Sequence, residues 1–547
     1  MNMKNMCLFP FLLSILSFFC LLSYEKETLF ELPLMEMGSF FFSIGFIFDK
    51  YSLIFTFTVS VIFSSIFLYS FFYLEEEVNL KRFLILLSMF VFSMLILILS
   101  GNFFSSLIGW DGLGVTSVLL IFFFYSSSSL KAGTMTFLMN RIGDCFFILS
   151  FFFVSLISSN IFLLEKVLFS TLTLPTIFVL MSITKSAQIP FSSWLPAAME
   201  APTPVSALVH SSTLVTAGIY MLFRFSCLWE SSQEMKSFLC VLSVSTLFLA
   251  SISGIVEIDL KKIIALSTLS QLGFIMFCLS VGMSEEGFFH LIMHAYFKAL
   301  LFMAAGYVIH SSSLWQDVRL LHVNFSPNVF MIISFSLLAL SGLPFLSGFY
   351  SKDKIIDVLH SESFSVSIFI LIIVSFMMTI FYSFRVIFYL STIKVSWCNM
   401  SDDSFSMLLS MMILLFLSCV SGSMMTWLLF LPEYMFNNSK VLLLTMLFLA
   451  VLLVWFWKKS KFKNIFSSLL FLGAFNQIYS FLLFKVSNEY MLCSEISTLM
   501  GNVNLKLTTY LLESSFYVNK ESKNFLGNSE FLFICLMALI ILSTLLD

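Results

Sequence analysis

Ten titratable side chains interrupt stretches of this chain that are otherwise apolar and long enough to cross a lipid bilayer. A central Asp, Lys or Arg costs about 2.5–3.5 kcal/mol on insertion scales, so chance does not explain ten of them. Such groups must face one another or a water-filled interior, and proton relays are the commonest reason for building one. The ten are Asp111, Arg141, Asp144, Lys185, Glu200, His210, His290, His294, Lys298 and Lys352.

The clearest periodic signal is His290, His294 and Lys298, which are spaced four residues apart. Each step of four in an α-helix advances about 6 Å along the axis and about 40° around it, so the three form a stripe. Histidine titrates near neutral pH and can pass protons in either direction. A zinc site is a competing interpretation, but the glutamate of HExxH is absent and no third ligand is evident. Satisfied core histidines are a further alternative.

Two interruptions of apolar segments lie beside two of the lysines. Proline removes a backbone donor and clashes with the preceding turn, so the helix ending at Lys185 must break inside the bilayer. A second interruption, between Gly342 and Pro344, comes shortly before Lys352 and Asp353. Broken helices at membrane depth are tolerated around cavities or buried protein, and they mark ion sites. The first interruption contains Pro190, Pro196, Pro202 and Pro204.

A buried lysine beside a carboxylate can load and release a proton. Burial disfavours the charged amine and a nearby carboxylate favours it, so moving the carboxylate changes the proton affinity of the amine. A hundredfold change in that affinity corresponds to about 2.7 kcal/mol, and moving one proton through about 100 mV costs about 2.3 kcal/mol. Asp111 is the candidate carboxylate. The alternative is a structural carboxylate paired with Arg141 or with a lysine.

The composition indicates a membrane protein. Of the 547 residues, 59% are hydrophobic and 11% are charged, whereas about a quarter of the residues of a soluble domain are charged. The net charge of -3 argues against a basic nucleic-acid-binding surface. The ten cysteines show no CxxC or ferredoxin-like spacing, so we expect neither an iron–sulfur cluster nor a metal site in this chain.

About fifteen segments have the roughly 20 apolar residues needed to cross a bilayer. The sequence therefore predicts an all-α polytopic membrane protein. Phe40–Phe48 is too short to span and is interpreted as a re-entrant or surface strand. The first segment resembles a signal peptide, but no cleavage site follows it, so we expect a retained helix. The predicted spans are 7–23, 51–73, 82–100, 103–124, 132–158, 168–188, 203–225, 237–258, 263–282, 288–310, 328–349, 364–391, 406–430, 441–457 and 529–546.

The segment 464–528 differs in character from the predicted spans. Six of its charged side chains fall within about 140° of a helical wheel, which predicts a long amphipathic helix lying along the membrane surface. Two short helices, broken at Gly501 and Asn502, are the alternative. The six are Lys485, Glu489, Glu495, Lys506, Glu513 and Lys520.

Seven motifs together resemble the antiporter-like membrane subunits of respiratory complex I, the proton-translocating NADH:ubiquinone oxidoreductase. The resemblance implies a distal pumping subunit of the membrane arm, with two inverted five-helix repeats that each contain a broken helix. It is specific between about residues 100 and 355. The motifs are Gly109–Gly114, Asn140–Asp144, Lys185–Pro196, Ala201–Thr213, Asp259–Thr268, His290–Lys298 and Gly348–Asp353.

The predicted spans and the resemblance together divide the chain into six segments. Amino-terminal helices precede two antiporter-like repeats, and additional spans, the lateral amphipathic helix and a final anchor come after them. The expected boundaries are 1–81, 82–225, 237–391, 406–457, 464–528 and 529–546.

The resemblance also implies a line of proton-path residues. Asp111 would pair with Lys185, and His290 and His294 would connect the remaining lysines. Many relatives carry Glu where this chain has Asp111, so the carboxylate is one methylene shorter here. The implied proton-path residues are Asp111, Asp144, Lys185, His210, His290, His294, Lys298, Lys352 and Asp353.

The expected function is proton movement driven by electron transfer from NADH to ubiquinone elsewhere in the complex. We expect NAD, FMN, iron–sulfur clusters and ubiquinone in other subunits. The expected partners are other membrane-arm subunits, including the neighbouring antiporter-like subunit, and membrane lipids, with no nucleic acid. A subunit of a multi-subunit cation/proton antiporter is the alternative, and the ten intramembrane titratable groups disfavour an inert scaffold.

The resemblance implies a location in the mitochondrial inner membrane, with the amino terminus in the matrix. The loops on the amino-terminal side carry more Lys and Arg than those on the other side. By the positive-inside rule, this bias predicts the same orientation.

Overall fold

The structure, a computed structural model, describes most of the chain up to residue 449. The chain divides into one compact unit of residues 1–364 and 368–460 and a second of residues 365–367 and 461–547. The predicted lateral helix 464–528 and anchor 529–546 lie outside the described residues. The described residues are 3–157 apart from 25, 38 and 39, then 173–312, 316–319, 327–361, 366–392, 402–429 and 445–449.

Helices make up most of the described chain, because backbone polar groups in hydrocarbon must be satisfied within their own segment. Among the described residues, ten helices are long and apolar enough to cross a membrane. The prediction of a helical, multi-span membrane protein is thereby confirmed. The helices are α1 (Met3–Leu22), α2 (Lys50–Tyr73), α3 (Leu80–Leu99), α4 (Phe103–Ile121), α5 (Ser127–Ile157), α6 (Thr173–Lys185), α7 (Trp194–Ala197), α8 (Thr203–Val205), α9 (Leu214–Arg224), α10 (Gln233–Val256), α11 (Leu260–Val281), α12 (Ser284–Ser311), α13 (Pro327–Ser341), α14 (Ser347–Ser361), α15 (Val366–Thr392) and α16 (Asp402–Leu429).

A two-stranded sheet corrects the expectation of an all-α fold. β1 (Thr28–Met37) pairs in antiparallel orientation with β2 (Phe40–Phe48), and the register shifts between Pro33 and Met35. Aromatic and β-branched residues favour strands, and a proline without an N–H is tolerated at such an irregularity. The segment too short to span is therefore a strand of this hairpin.

The most buried spans carry the three candidate histidines and Lys298. Thr203–Arg224 and Leu260–Val281 are buried throughout their apolar length, and Ser284–Ser311 is buried almost throughout. Polar side chains on these helices therefore face other parts of the protein. Ser127–Val154, by contrast, buries 33% of its apolar stretch, so much of α5 is left uncovered by the described chain.

Both predicted helix breaks are present. Helix α6 ends at Lys185, and turns and short helical pieces follow before α8. Helix α13 ends at Ser341, where Gly342 takes a φ of 86°, which glycine adopts without a steric penalty. The predicted span 328–349 is thus two helices, α13 and α14, rather than one.

A π-helical segment, Ser206–Thr213, connects α8 with α9. π-Helical turns inside helices are rare and occur frequently at functional sites. This segment contains His210, and every one of its residues is buried.

An ion pair ties the start of α2 to the end of α9. Both terminal nitrogens of Arg224 donate to the carboxylate of Asp49, and the Nη2–Oδ1 distance is 3.2 Å. Bidentate pairs of this kind fix orientation as well as contributing free energy. The rotation of α9 about its axis is therefore fixed at its carboxyl end.

Helix α14 returns very close to α13 at Gly348. A methyl carbon added to Gly348 would lie 1.9 Å from the carbonyl oxygen of Ala339, far inside van der Waals contact. A glycine is required here because the two halves of the broken helix touch backbone to backbone.

We predict that Gly348→Ala lowers the amount of folded protein in the membrane several-fold, because the added methyl must push α14 away from α13. Immunoblotting of membranes after native electrophoresis measures this amount. Gly287→Ala is the matched control. The methyl carbon added there would lie 3.4 Å from its nearest neighbour, the Cβ of Cys278. Equal amounts of the two variants would contradict the close approach.

Candidate proton-transfer site

Three charged residues of α4 and α5 form one cluster. Nη1 of Arg141 lies 2.8 Å from Oδ1 of Asp111 and 3.1 Å from Oδ2 of Asp144. The side chain of Asp111 is 49% exposed in this chain, whereas that of Asp144 is 11% exposed. Arg141 therefore holds two carboxylates at once, one near the surface of the chain and one inside it.

Lys185 lies behind this cluster, at the carboxyl end of α6. Its Nζ donates to the carbonyl oxygen of Trp110 at 2.5 Å and lies 4.1 Å from the centroid of the indole ring. The amine is completely buried.

The expected direct pair between Asp111 and Lys185 is not formed. Asp111 accepts from Arg141, and Lys185 donates to a backbone carbonyl. The sequence analysis gave a carboxylate paired with Arg141 as the alternative, and this is the pairing that Asp111 makes. The physical reason is that a guanidinium presents several donors in a planar fork and engages carboxylates better than a single ammonium does.

Trp194 connects the region of Lys185 with His210. Its indole nitrogen donates to the carbonyl oxygen of Thr184 at 3.1 Å, one residue before Lys185. Its ring centroid lies 6.2 Å from that of His210. The break after α6 thus returns an aromatic side chain to the space between the lysine and the π-helical segment.

A second cluster surrounds His290 on α12. Its Nδ1 lies 2.8 Å from Oγ of Ser351 on α14, and its Nε2 lies 3.1 Å from Oε1 of Gln271 on α11. Lys298, two turns further along α12, donates to Oγ of Ser267 on α11. Side chains from three helices therefore meet around the predicted His–His–Lys stripe.

Lys352 lies at the second helix break. Its Nζ donates to the carbonyl oxygen of Leu340 at 2.6 Å, in the last turn of α13. The last carbonyls of a helix have no partner within the helix, and a cation there also complements the helix dipole. Asp353, the next residue, is buried beside it.

His210 and His294 are buried, and neither ring nitrogen of either residue makes a hydrogen bond to another described residue. Most buried polar side chains in folded proteins have at least one partner, which is another protein group or ordered water. A bridging water would therefore be favourable at these two imidazoles, as it would at Asn140, whose two side-chain polar atoms also have no hydrogen-bond partner among the described residues.

The nine predicted residues thus fall into separate groups. One contains Asp111, Asp144 and Lys185, and another contains His290 and Lys298. Within the described residues, no hydrogen bond joins the two groups. His210, His294, Lys352 and Asp353 complete the set.

Sequence reasoning missed the neutral partners of the charged groups. Ser and Gln are too common in this chain for their spacing to identify them. Two signals were available, since Trp110 directly precedes Asp111 and Ser351 directly precedes Lys352. The missed partners are Trp110, Trp194, Ser267, Gln271 and Ser351.

The chemistry available to these groups is proton transfer. Amines, imidazoles, hydroxyls and carboxylates can all accept and donate protons. Within the described part of the chain, no group of three or more His, Cys, Asp and Glu side chains is placed to hold a metal ion.

Two family models match the chain. Residues 100–382 match the model described as NADH:quinone oxidoreductase/Mrp antiporter, TM. Residues 34–84 match the model described as NADH-Ubiquinone oxidoreductase (complex I), chain 5 N-terminus. The first match includes every predicted proton-path residue.

Solved structures with a similar fold come from two membrane complexes. A chain of the Mrp complex from Dietzia sp. has a TM-score of 0.76 at 20% identity, and the match covers 93% of this chain and 60% of that chain. A chain of the archaeal membrane-bound sulfane sulfur reductase has a TM-score of 0.65 at 18% identity, and the match covers 82% of this chain and 93% of that chain. These two likenesses concern the fold alone.

Curated relatives carry the name NADH-ubiquinone oxidoreductase chain 5. The protein of Anopheles quadrimaculatus is 44% identical over 416 residues, which cover 74% of this chain and 72% of the relative. The protein of Caenorhabditis elegans is 36% identical over 515 residues, which cover 91% of this chain and 94% of the relative. The chain therefore belongs to the NADH-ubiquinone oxidoreductase chain 5 family of antiporter-like complex I membrane subunits.

Proposed function

We propose that this chain translocates protons as a membrane-arm subunit of respiratory complex I. The observation that carries the proposal is that the buried amines of Lys185, Lys298 and Lys352 each donate to a neutral oxygen. A neutral acceptor leaves each amine free to change its charge, because no carboxylate among the described residues pairs with it and fixes the protonated form. Proton affinity then depends on charges that can move nearby.

Arg141 is the movable charge in the first group. While Arg141 holds Asp111 and Asp144, it offsets the negative charge that would otherwise stabilise a protonated Lys185. When Arg141 swings toward Asp111 alone, Asp144 is left to favour protonation of Lys185. A return of Arg141 to Asp144 then favours release of that proton. The proposed switch thus acts through competition for the buried carboxylate.

The two inverted five-helix repeats belong to this proposal. In both stretches, 82–225 and 237–391, the fourth helix in sequence is the broken one: α6 in the first and α13 with α14 in the second. A lysine lies at each break, Lys185 before the first and Lys352 after the second. The same helix order and the lysine at each break support a duplicated structural unit.

The uncovered face of α4 and α5 supports a neighbouring antiporter-like subunit as partner. The pair of Asp111 and Arg141 lies within two membrane spans, yet its side chains are 49% and 39% exposed in this chain. A half-exposed ion pair facing hydrocarbon would be costly. A protein partner that covers this face would remove the contact with lipid.

The remaining parts of the proposal concern the complex as a whole. NADH oxidation would occur in other subunits, which would hold NAD, FMN, iron–sulfur clusters and ubiquinone. The chain would sit in the mitochondrial inner membrane with its amino terminus in the matrix, and its lateral helix would run along the arm.

Co-migration tests the assignment to complex I. After native electrophoresis of solubilised membranes, we expect this chain in the band that carries NADH dehydrogenase activity. Immunodetection of the chain and an activity stain of the same lane are the two measurements. Migration apart from that activity would overturn the assignment and favour a separate cation/proton antiporter.

For the lysine switch, we predict that Lys185→Met lowers proton-coupled quinone reduction several-fold in assembled complex, because the variant removes an internal proton carrier. Proton uptake by sealed vesicles is measured alongside NADH oxidation. Lys131→Met is the control, since Lys131 is an exposed residue of α5. Normal proton yield in the Lys185 variant would exclude this lysine from the path.

The two carboxylates should differ in importance. We predict a larger loss of proton yield for Asp144→Asn than for Asp111→Asn, because the side chain of Asp144 is more buried and its charge is therefore less screened by solvent. Proton uptake by vesicles at matched amounts of complex compares the two variants. The opposite order would show that Asp111 is the partner that controls Lys185.

A further inference from the structure

Helix α6, which carries Lys185, ends in a left-handed turn at an alanine. Ala187 has a φ of 55°, and the N–H of Gln188 donates to the carbonyl oxygen of Ile183 at 3.1 Å. A bond of this span, closed over a left-handed residue, is the Schellman type of helix end. Glycine is the usual residue at the left-handed position, because a Cβ is strained there.

The second helix break has the same kind of turn, but with a glycine in it. The N–H of Leu343 donates to the carbonyl oxygen of Leu338 at 3.1 Å, and Gly342 takes the left-handed conformation between them. Ala187 has the Cβ that Gly342 lacks. A strained backbone persists only where the surrounding structure holds it in place. The turn at Ala187 therefore needs outside support that the turn at Gly342 does not.

The buried side chain of Gln188 connects this turn to a helix outside the first repeat. Its Nε2 donates to the carbonyl oxygen of Ser186 at 3.3 Å, and its Oε1 lies 2.6 Å from Oγ1 of Thr246 on α10. A reversed amide would place two carbonyl oxygens against each other at Ser186, so the orientation is determined. An amide oxygen only accepts, and Thr246 is therefore the donor.

The hydroxyl of Thr246 has one proton and two oxygens within reach. The other acceptor is the carbonyl oxygen of Ser243 at 2.8 Å, in the same helix. If the proton pointed there, the oxygens of Thr246 and Gln188 would face each other with no hydrogen between them. Leaving a buried acceptor unpaired is costly. The bond to Gln188 is therefore the favoured one.

The second repeat also contacts the far end of the first break, which is the segment 186–202 between α6 and α8. Nζ of Lys261, in the first turn of α11, donates to the carbonyl oxygen of Ala201 at 3.2 Å. Ala201 lies two residues before α8 begins. Both ends of the first break are thus hydrogen-bonded to helices of the second repeat.

The bonds at the first break fix the backbone on both sides of Lys185. The carbonyl oxygen of Thr184, before it, accepts from the indole of Trp194. The carbonyl oxygen of Ser186, after it, accepts from Gln188. A displacement of α10 is therefore transmitted through Gln188 to the backbone that carries the lysine, and so to the position of its amine.

We propose that Thr246 is a positioning residue for Lys185. Through Gln188 it holds the left-handed turn at Ala187, and it thereby sets the position of the lysine amine from the second repeat. The inference rests on the proposed proton-translocating function and deepens it, because it names a residue outside the first repeat that acts on the lysine of that repeat. Thr246 itself transfers no proton in this role.

Thr246→Val tests this role, because it keeps the branched shape and removes the hydroxyl. In assembled complex, we expect the number of protons taken up per NADH oxidised to fall several-fold. A lower amount of folded protein alone would not change this ratio. Thr246→Ser keeps the hydroxyl and should restore it. Thr379→Val is the matched control, a buried threonine of α15 whose hydroxyl donates to the carbonyl oxygen of Phe376 in its own helix, and its ratio should be normal.

Ala187→Gly supplies a second test, because a glycine relieves the strain that makes the support necessary. We expect the double variant Ala187→Gly, Thr246→Val to recover the proton ratio, or to recover assembly if Thr246→Val alone does not assemble. A normal ratio in Thr246→Val, no restoration by Thr246→Ser, or no recovery in the double variant would overturn the proposal.

Lys185→Met separates the positioning role from the function itself. A low proton ratio in Lys185→Met with a normal ratio in Thr246→Val would reject the role of Thr246 and leave the proton-translocating function in place. A normal ratio in Lys185→Met would exclude Lys185 from the path, and with it the purpose of positioning its amine.

Discussion

The fold depends on one constraint, which is that every amine and backbone group inside a hydrocarbon layer must find a partner within the protein. Breaking a helix frees carbonyl oxygens, and buried amines need acceptors. Lys352 donates to a carbonyl in the last turn of α13, so one interruption meets both needs. Lys185 meets the same need with the carbonyl of Trp110 on a neighbouring helix. Both amines are buried, and neither pairs with a carboxylate within the part of the chain that the structure describes.

Arg141 and the buried lysines therefore have different kinds of partner. Arg141, with its several donors, binds the two carboxylates, and the lysines are left to neutral oxygens. A buried salt bridge would hold one protonation state firmly, since removing either partner leaves an uncompensated charge. Keeping the lysines out of such bridges leaves their protonation responsive to small displacements of neighbouring groups.

Sequence reasoning located the helix breaks and the His–His–Lys stripe because proline geometry and the helical repeat act locally. It did not locate the partners, since the contacts of Arg141 with Asp111 and of Lys298 with Ser267 join residues 30 and 31 positions apart. The family resemblance predicted Lys185 as the partner of Asp111, whereas Asp111 pairs with Arg141 in the structure. The sequence offered a strand at Phe40–Phe48 but not its partner Thr28–Met37, because acidic residues and Pro33 interrupt the pattern of the partner strand.

The π-helical segment around His210 also sets the direction in which Arg224 points. A π-helical turn holds more residues than an α-helical one, so Ser206–Thr213 offsets the rotation of everything that follows. If the same eight residues formed a regular α-helix instead, α9 would turn by about 100°. Arg224 would then face away from Asp49. The π-helical conformation of the segment that holds His210 is therefore also what directs Arg224 toward Asp49.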